Sequence, residues 1–260
     1  MGETIMKKWL LLLVAACITF ALSACGSSSS GSADGKKKII MGTSADYKPF
    51  EYKDGDNIVG FDVDLAKALA KKAGYEIEVQ DMDFNSLITA LKSKQIDMVL
   101  SGMTPTPERK KQVDFSDIYY TAHHMIVSKK DSGIDSLSDL KGKTVGVQLG
   151  SIQEEKGKEL SPDYDFKTED RNRISDLVQE IKSGRFDAAI IEDMVAEGYF
   201  NSNEDLQGFT IPDAKAEEAG SAIAFRKDSD LTDKFNKALK EMKDNGELDK
   251  LKKKWFSNEK

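Results

Sequence analysis

The chain has 260 residues, is 39% hydrophobic and 32% charged, and sets 38 Lys+Arg against 45 Asp+Glu for a formal net charge of -7. With 12 Phe and 7 Tyr it can build the core of one large domain or of two lobes, which excludes a disordered acidic tail. It lacks the strongly basic balance of a nucleic-acid binder.

The chain opens with Met1 to Ile5, upstream of a second candidate start at Met6. Lys7-Lys8 then precede a largely apolar run from Leu10 to Leu22, followed by Ser23-Ala24-Cys25. Residues 1–24 thus have the three parts of a secretory signal. The apolar run reaches only ~20 Å as a helix, short of the ~30 Å hydrocarbon layer. Leu22-Ser23-Ala24-Cys25 resembles a bacterial lipobox, which implies palmitate-type lipidation of Cys25 and an anchor on the outer face of the cell membrane. The alternative is an ordinary signal peptide with an incidental cysteine. Residues 25–37 include the Gly/Ser run Gly26 to Gly35 and read as a flexible tether. Cys17 lies in the leader, so the mature chain would hold no thiol but Cys25, and disulfides and cysteine nucleophiles drop out.

From Lys38 onward short β-like runs alternate with helical ones. Ile39-Ile40-Met41 reads as a strand, Asp62 to Ala73 as a helix stopped by Gly74, and Ile77 to Val79 as the next strand. Asn85 to Ser93 follows as a helix and Ile96 to Leu100 as a buried strand. Thr144 to Gln148 repeats the strand pattern further on. This alternation predicts an α/β fold with open sheets.

One layout occurs twice. Lys92-Ser93-Lys94-Gln95-Ile96-Asp97-Met98-Val99-Leu100 matches Lys182-Ser183-Gly184-Arg185-Phe186-Asp187-Ala188-Ala189-Ile190, each a helix end, a turn, an Asp and an apolar strand. A weaker echo joins Lys38–Thr43 to Lys143–Gln148. Two lobes of similar design would place the carboxyl ends of matching strands on a shared crevice, where open α/β sheets bind ligands.

Those ends differ in sign. After the first comes Ser101-Gly102, then Met103-Thr104-Pro105-Thr106-Pro107-Glu108-Arg109, with Thr106 as N-cap, Pro107 in the first helical position and Arg109 in the first turn. That is an anion site. The second ends in Ile191-Glu192-Asp193, which suits an ammonium. Gly150-Ser151-Ile152-Gln153-Glu154 supplies a further helix start with capping-box spacing. Each start taken singly is also an ordinary cap, but two at strand ends facing one cleft fit a ligand with both charges, an α-amino acid.

The motifs Gly42-Thr43-Ser44-Ala45-Asp46-Tyr47-Lys48-Pro49-Phe50-Glu51, Gly60-Phe61-Asp62-Val63-Asp64-Leu65, Met103 to Arg109 and Asp114-Phe115-Ser116 resemble those of polar amino-acid-binding proteins of ABC importers. So do Leu140 to Val147 with Gly150-Ser151, Gly184 to Ala189, and Gly246 to Leu251. The likeness spans nearly all of residues 38 to 256 and is strongest toward arginine- or basic-amino-acid-binding lipoproteins of Gram-positive bacteria.

The resemblance implies a periplasmic-binding-protein-like fold: two α/β lobes joined by a two-crossing hinge near Thr121 to His124 and Glu217 to Ser221. Residues 38–122 plus 220–260 would form lobe 1 and 123–219 lobe 2, with the helix from Leu231 packed on the first. Carried over by position, Arg109 would pair with the α-carboxylate of a free L-amino acid, helped by N–H or hydroxyl groups of Gly102, Thr104 and Ser151, with Ser101 and Ile152 also among the ligand residues. Glu192 would hold the α-ammonium, with Asp193 as a substitute. Tyr47 and Phe84 would flank the side chain, and Gln148 would line the same pocket. Ser44 departs from the Asp of some basic-amino-acid binders, so a distal cation would turn to Asp46, Glu51 or Asp83, and glutamine or cystine stays open as ligand. The partners implied are ABC transporter permease subunits and the membrane, reached through Cys25.

The leading rival is an enzyme of the same architecture, such as a dehydratase, which would need a placed general acid or base. The only histidines, His123 and His124, are adjacent at the predicted hinge. No metal or cofactor is expected, since no spaced His or Cys partners exist for a zinc site.

Overall fold

The computed structural model describes residues 37–212 and 220–256. The predicted leader, Cys25, most of the tether, and Glu217 to Ala219 of the second predicted crossing lie outside these residues.

The first strand, β1 (Lys37–Thr43), is buried on both faces from Met41 onward, as a central strand of a parallel sheet must be. A small antiparallel sheet follows from β2 (Asp46–Tyr47), β3 (Glu51–Asp54) and β4 (Asn57–Val59). Helix α1 (Phe61–Ala73) carries Asp62 and Asp64 in its first turn and Lys71 and Lys72 in its last, and Gly74 ends it at φ 83°. Strand β5 (Tyr75–Asp81) then pairs in parallel with β1 along its whole length.

The helix expected over Asn85–Ser93 is divided: a 3₁₀ turn, Phe84–Ser86, precedes α2 (Leu87–Lys92). The strand expected over Ile96–Leu100 shortens to β6 (Met98–Val99), although Leu100 is also fully buried. The Asp97 carboxylate, rather than a backbone carbonyl, accepts the Ile40 N–H at 2.9 Å there.

The chain continues through α3 (Pro107–Lys110), β7 (Val113–Phe115) and β8 (Tyr120–Thr121). It then enters β9 (His124–Lys129), β10 (Thr144–Gln148), α4 (Ile152–Tyr164), β11 (Lys167–Arg171), α5 (Ile174–Ser183), β12 (Ala188–Glu192), α6 (Asp193–Phe200) and β13 (Leu206–Thr210). It returns through β14 (Gly220–Ser221) and β15 (Ala224–Arg226), and ends in α7 (Asp230–Asp244) and α8 (Glu247–Phe256), which are separate helices because Gly246 turns the chain at φ 76°.

Two five-stranded sheets result, ordered β5-β1-β6-β15-β7 and β11-β10-β12-β9-β13. Each has three parallel strands followed by an antiparallel one. The repeated layout is structural as well as sequential: the Asp187 carboxylate accepts the Thr144 N–H at 2.9 Å, as Asp97 does for Ile40. In both lobes this aspartate ties the strand after the helix to the first strand of the unit. The lobes are joined by β8 and β14, whose antiparallel pairing sets Gly220 against Thr121. The ring of Phe256 lies 4.9 Å from that of Tyr120 in β8 and 4.7 Å from that of Phe61, so the end of α8 closes over the hinge strand.

Candidate ligand-binding site

Of the five arginines, four meet a carboxylate. Arg171 and Arg185 share Glu180, Arg226 meets Asp97, and Arg173 bonds Asp81 at 2.7 Å and Asp83 at 2.8 Å. Arg109 meets none among the described residues, and it is 8% exposed. Thr106 caps its short helix by accepting the Arg109 N–H, and the guanidinium donates to the carbonyls of Thr104 (2.7 Å) and Gly150 (2.8 Å), with the Phe84 ring 5.4 Å beneath it. Two of its five N–H groups are thereby used, so three remain for an anion. Burial lowers its pKa to about 10, and Glu155 only partly opposes this. An uncompensated buried charge is costly, so the arrangement is complementary to a carboxylate.

Glu192 has the opposite character. It is 4% exposed at the end of β12, and the Tyr47 hydroxyl donates to its Oε2 at 2.8 Å. Its Oε1 is buried without a hydrogen-bond partner among the described residues. Burial is the main cause of a pKa raised to about 8; the Tyr47 bond lowers it, while Asp193 and Asp62 raise it. Asp193 turns to its own helix, accepting the Met194 N–H.

The remaining predicted residues connect these two centres. Gly102 has φ +56°, and a Cβ there would lie 2.9 Å from the Tyr47 ring, so the ring rests on bare backbone. The Gly102 N–H is taken by Asp62 at 3.2 Å and therefore points into the lobe. The Ser101 hydroxyl donates to Glu51 (2.8 Å) and accepts the Ser44 N–H (3.0 Å). Ser151 is the N-cap of α4: its hydroxyl accepts the Glu154 N–H and donates to the Gln148 carbonyl. Glu154 reaches past it to the Gly150 N–H at 2.7 Å, one residue earlier than a capping box requires. Ile152 opens the first turn, and the Gln148 amide donates to the Asn172 carbonyl.

The Ser44 hydroxyl donates to Asp46 at 3.0 Å, so the neutral side chain adjoins a carboxylate after all. Asp83 is occupied by Arg173 and Asn172, and fully buried Glu51 sits behind Ser101. Of the three acidic candidates for a distal cation, Asp46 stays beside Ser44, with its other oxygen accepting the Ser175 N–H and the Arg173 guanidinium 3.9 Å away.

The lobes are closed on one another. Besides Tyr47–Glu192 and Arg109–Gly150, Ser175 N–H and Tyr199 hydroxyl reach Asp46, and Arg173 spans to Asp81 and Asp83. Sequence reasoning missed this second set, because Arg173 lies in an unremarkable polar run and only the apposition of the two lobes brings it to Asp81 and Asp83. A cavity of about 590 Å³ opens beside these bonds, lined by Asp46, Lys48, Asp81, Arg173 and Tyr199 among others. Of the residues considered for the ligand only Asp46 lines it, and its Arg173 and Lys53 are already matched by Asp81. The buried Arg109 guanidinium and Glu192 carboxyl group, neither bonded to a group of opposite charge among the described residues, locate the site instead.

The sequence matches the family model of bacterial extracellular solute-binding proteins, family 3, over residues 39–258. The chain belongs to this family. It is a solute-binding protein rather than an enzyme. It is 90% identical to the arginine-binding extracellular protein ArtP of Bacillus subtilis (strain 168), over 98% of this chain and all of the relative. Two solved structures are similar: an ancestral arginine-binding protein bound to arginine (46% identity, TM-score 0.77, covering 85% of this chain and 99% of that one) and one bound to glutamine (44%, 0.77, 86% and 99%). In this solute-binding protein the two closed lobes of the family fold therefore bring together an anion-seeking guanidinium and a cation-seeking carboxylate.

Proposed function

We propose that the protein captures a free L-amino acid, with arginine or another basic amino acid as its ligand, and delivers it to an ABC importer. One observation carries the reading: Arg109 and Glu192, both buried, have no partner of opposite charge in their bonding among the described residues, and an α-amino acid supplies one to each. Arg109 takes the carboxylate, with Thr104, Ser151 and Ile152 beside it. Glu192 takes the ammonium, with Ser101 and Gly102 forming the floor, and Tyr47, Phe84 and Gln148 border the side chain. The Ser44–Asp46 pair meets the distal cation. The high identity to an arginine-binding relative supports this choice.

In the same reading, residues 38–122 with 220–260 form one lobe and 123–219 the other, and the closed form docks on the permease. Residues 1–24 are a signal peptide, and Cys25 carries the lipid that holds the protein at the outer face of the membrane.

A thermal-shift panel of the twenty amino acids tests the ligand, because a ligand stabilises the fold in proportion to ln(1+[L]/Kd). Arginine gives the largest shift, followed by lysine or histidine. The neutral Ser44 hydroxyl favours glutamine as the second reading, and a shift confined to glutamine or cystine would refute the basic ligand while leaving the site in place.

A further inference from the structure

Two motifs, Pro49-Phe50-Glu51 and Gly60-Phe61-Asp62, have no direct part in holding the ligand, yet the fold forces them together. The Phe61 N–H donates to the Pro49 carbonyl at 3.0 Å and the Asp62 N–H to the Phe50 carbonyl at 2.9 Å. Gly60 permits this approach: at φ +137° a Cβ there would stand 2.1 Å from the Phe50 carbonyl oxygen. Glu51 and Asp62 consequently meet in the core of the first lobe, both fully buried and within hydrogen-bonding reach of each other.

Their four oxygens divide cleanly. Glu51 Oε1 accepts the Ser101 hydroxyl at 2.8 Å, while Asp62 Oδ2 accepts the Tyr119 hydroxyl at 2.7 Å and the Gly102 N–H at 3.2 Å. Glu51 Oε2 and Asp62 Oδ1 are the two oxygens left buried without a donor. Two acceptor-only groups in contact cannot both be ionised in a dry core, and one proton between them satisfies both.

We propose that Glu51 and Asp62 share a single proton and act as positioning residues, fixing the Ser101 hydroxyl and the Gly102 N–H so that the floor of the amino-acid cleft is built before ligand arrives. This rests on the amino-acid reading of that cleft. The surrounding titratable groups are all acids: Asp46, Tyr47, Tyr119 and Glu192. None supplies a positive charge to hold a second carboxylate ionised. Burial raises Glu51 far above the carboxylate range, and it raises Asp62 to about 7. Ser101 in turn accepts the Ser44 N–H, so the pair also sets the backbone beside Asp46.

The test uses the full-length protein and single amide substitutions. An amide next to a carboxylate reproduces one donor between the two inner oxygens, so Glu51→Gln and Asp62→Asn each keep arginine affinity within about threefold by calorimetry. The double variant leaves an amide facing the Gly102 N–H or the Ser101 hydroxyl wrongly and loses affinity by about tenfold or more. Infrared spectra of ligand-free protein in a Glu192→Gln background show a protonated carboxyl band at neutral pH that Glu51→Gln removes, and the Gly102 amide resonance moves in the double variant but not in Glu51→Gln. A neutral-pH spectrum without that band, or a tenfold loss in either single variant, overturns the proposal. The band and the resonance are read without ligand, so a protein that binds some other solute would refute the amino-acid reading and leave this test standing.

Discussion

The Tyr47 hydroxyl donates to Glu192 Oε2 across the two lobes at 2.8 Å, joining the aromatic wall of one lobe to the buried acid of the other. This bond occupies one carboxylate oxygen and leaves Oε1 as the acceptor for an ammonium group. Tyr47→Phe keeps the ring against Gly102 but strips the carboxylate of its donor. A hydrogen bond to a charged group contributes about 1.5 to 3 kcal/mol, so amino-acid affinity falls by about tenfold to a hundredfold in calorimetry. The fold survives, because the ring still fills its place.

Proton release should accompany binding. With its pKa raised to about 8 by burial, Glu192 is largely protonated at neutral pH, whereas an ammonium ligand requires its carboxylate. Affinity therefore falls as pH drops below about 8, approaching about tenfold per pH unit. Calorimetry in buffers of different ionisation enthalpy reads the released proton, and Glu192→Gln abolishes it. Ligand-free stability has the same sign: the folded pKa is above the unfolded value near 4.5, so this group's contribution is complete below that value and is lost as pH rises toward about 8.

Arg109 is the buried cation that no carboxylate in the described residues neutralises. Removing the partner of a buried carboxylate costs roughly 3 to 5 kcal/mol, so Arg109→Ala weakens binding by at least about a hundredfold. Arg109→Lys recovers little, since a point charge cannot reach the Thr104 and Gly150 carbonyls and a bidentate anion together. Near-normal affinity in Arg109→Ala would remove it from the site.

Arg173 predicts a separable effect on closure. Its pairs with Asp81 and Asp83 join the lobes away from Arg109 and Glu192, with the Asp46 carboxylate 3.9 Å from the same guanidinium, and the side chains of Arg173, Asp81 and Asp83 are 23%, 16% and 36% exposed. Arg173→Ala weakens binding by about fivefold, on the order of 1 kcal/mol, and less at high salt. Small-angle scattering shows a larger open fraction in this variant.

The strand and helix order, the repeated helix-turn-Asp-strand layout and the residues at the strand ends were legible in the chain itself, because periodicity and capping are local and the two lobes repeat one plan. Thr144–Gln148 appears as a strand with the predicted limits, and Asp97 and Asp187 perform the same task in the two sheets. The partner of each acid was not legible, because partnership depends on long-range register. Asp83 and Arg173 are ninety residues apart in sequence but 2.8 Å apart in space, so an acid that composition offered to a ligand belongs to the opposite lobe. Glu51 likewise reads as an available carboxylate until Gly60 folds it against Asp62. Residue type and spacing determined which groups could bind an amino acid. Tertiary contact decided which of them stayed free of internal partners, since a buried charge is available to a ligand only where the fold has not already neutralised it.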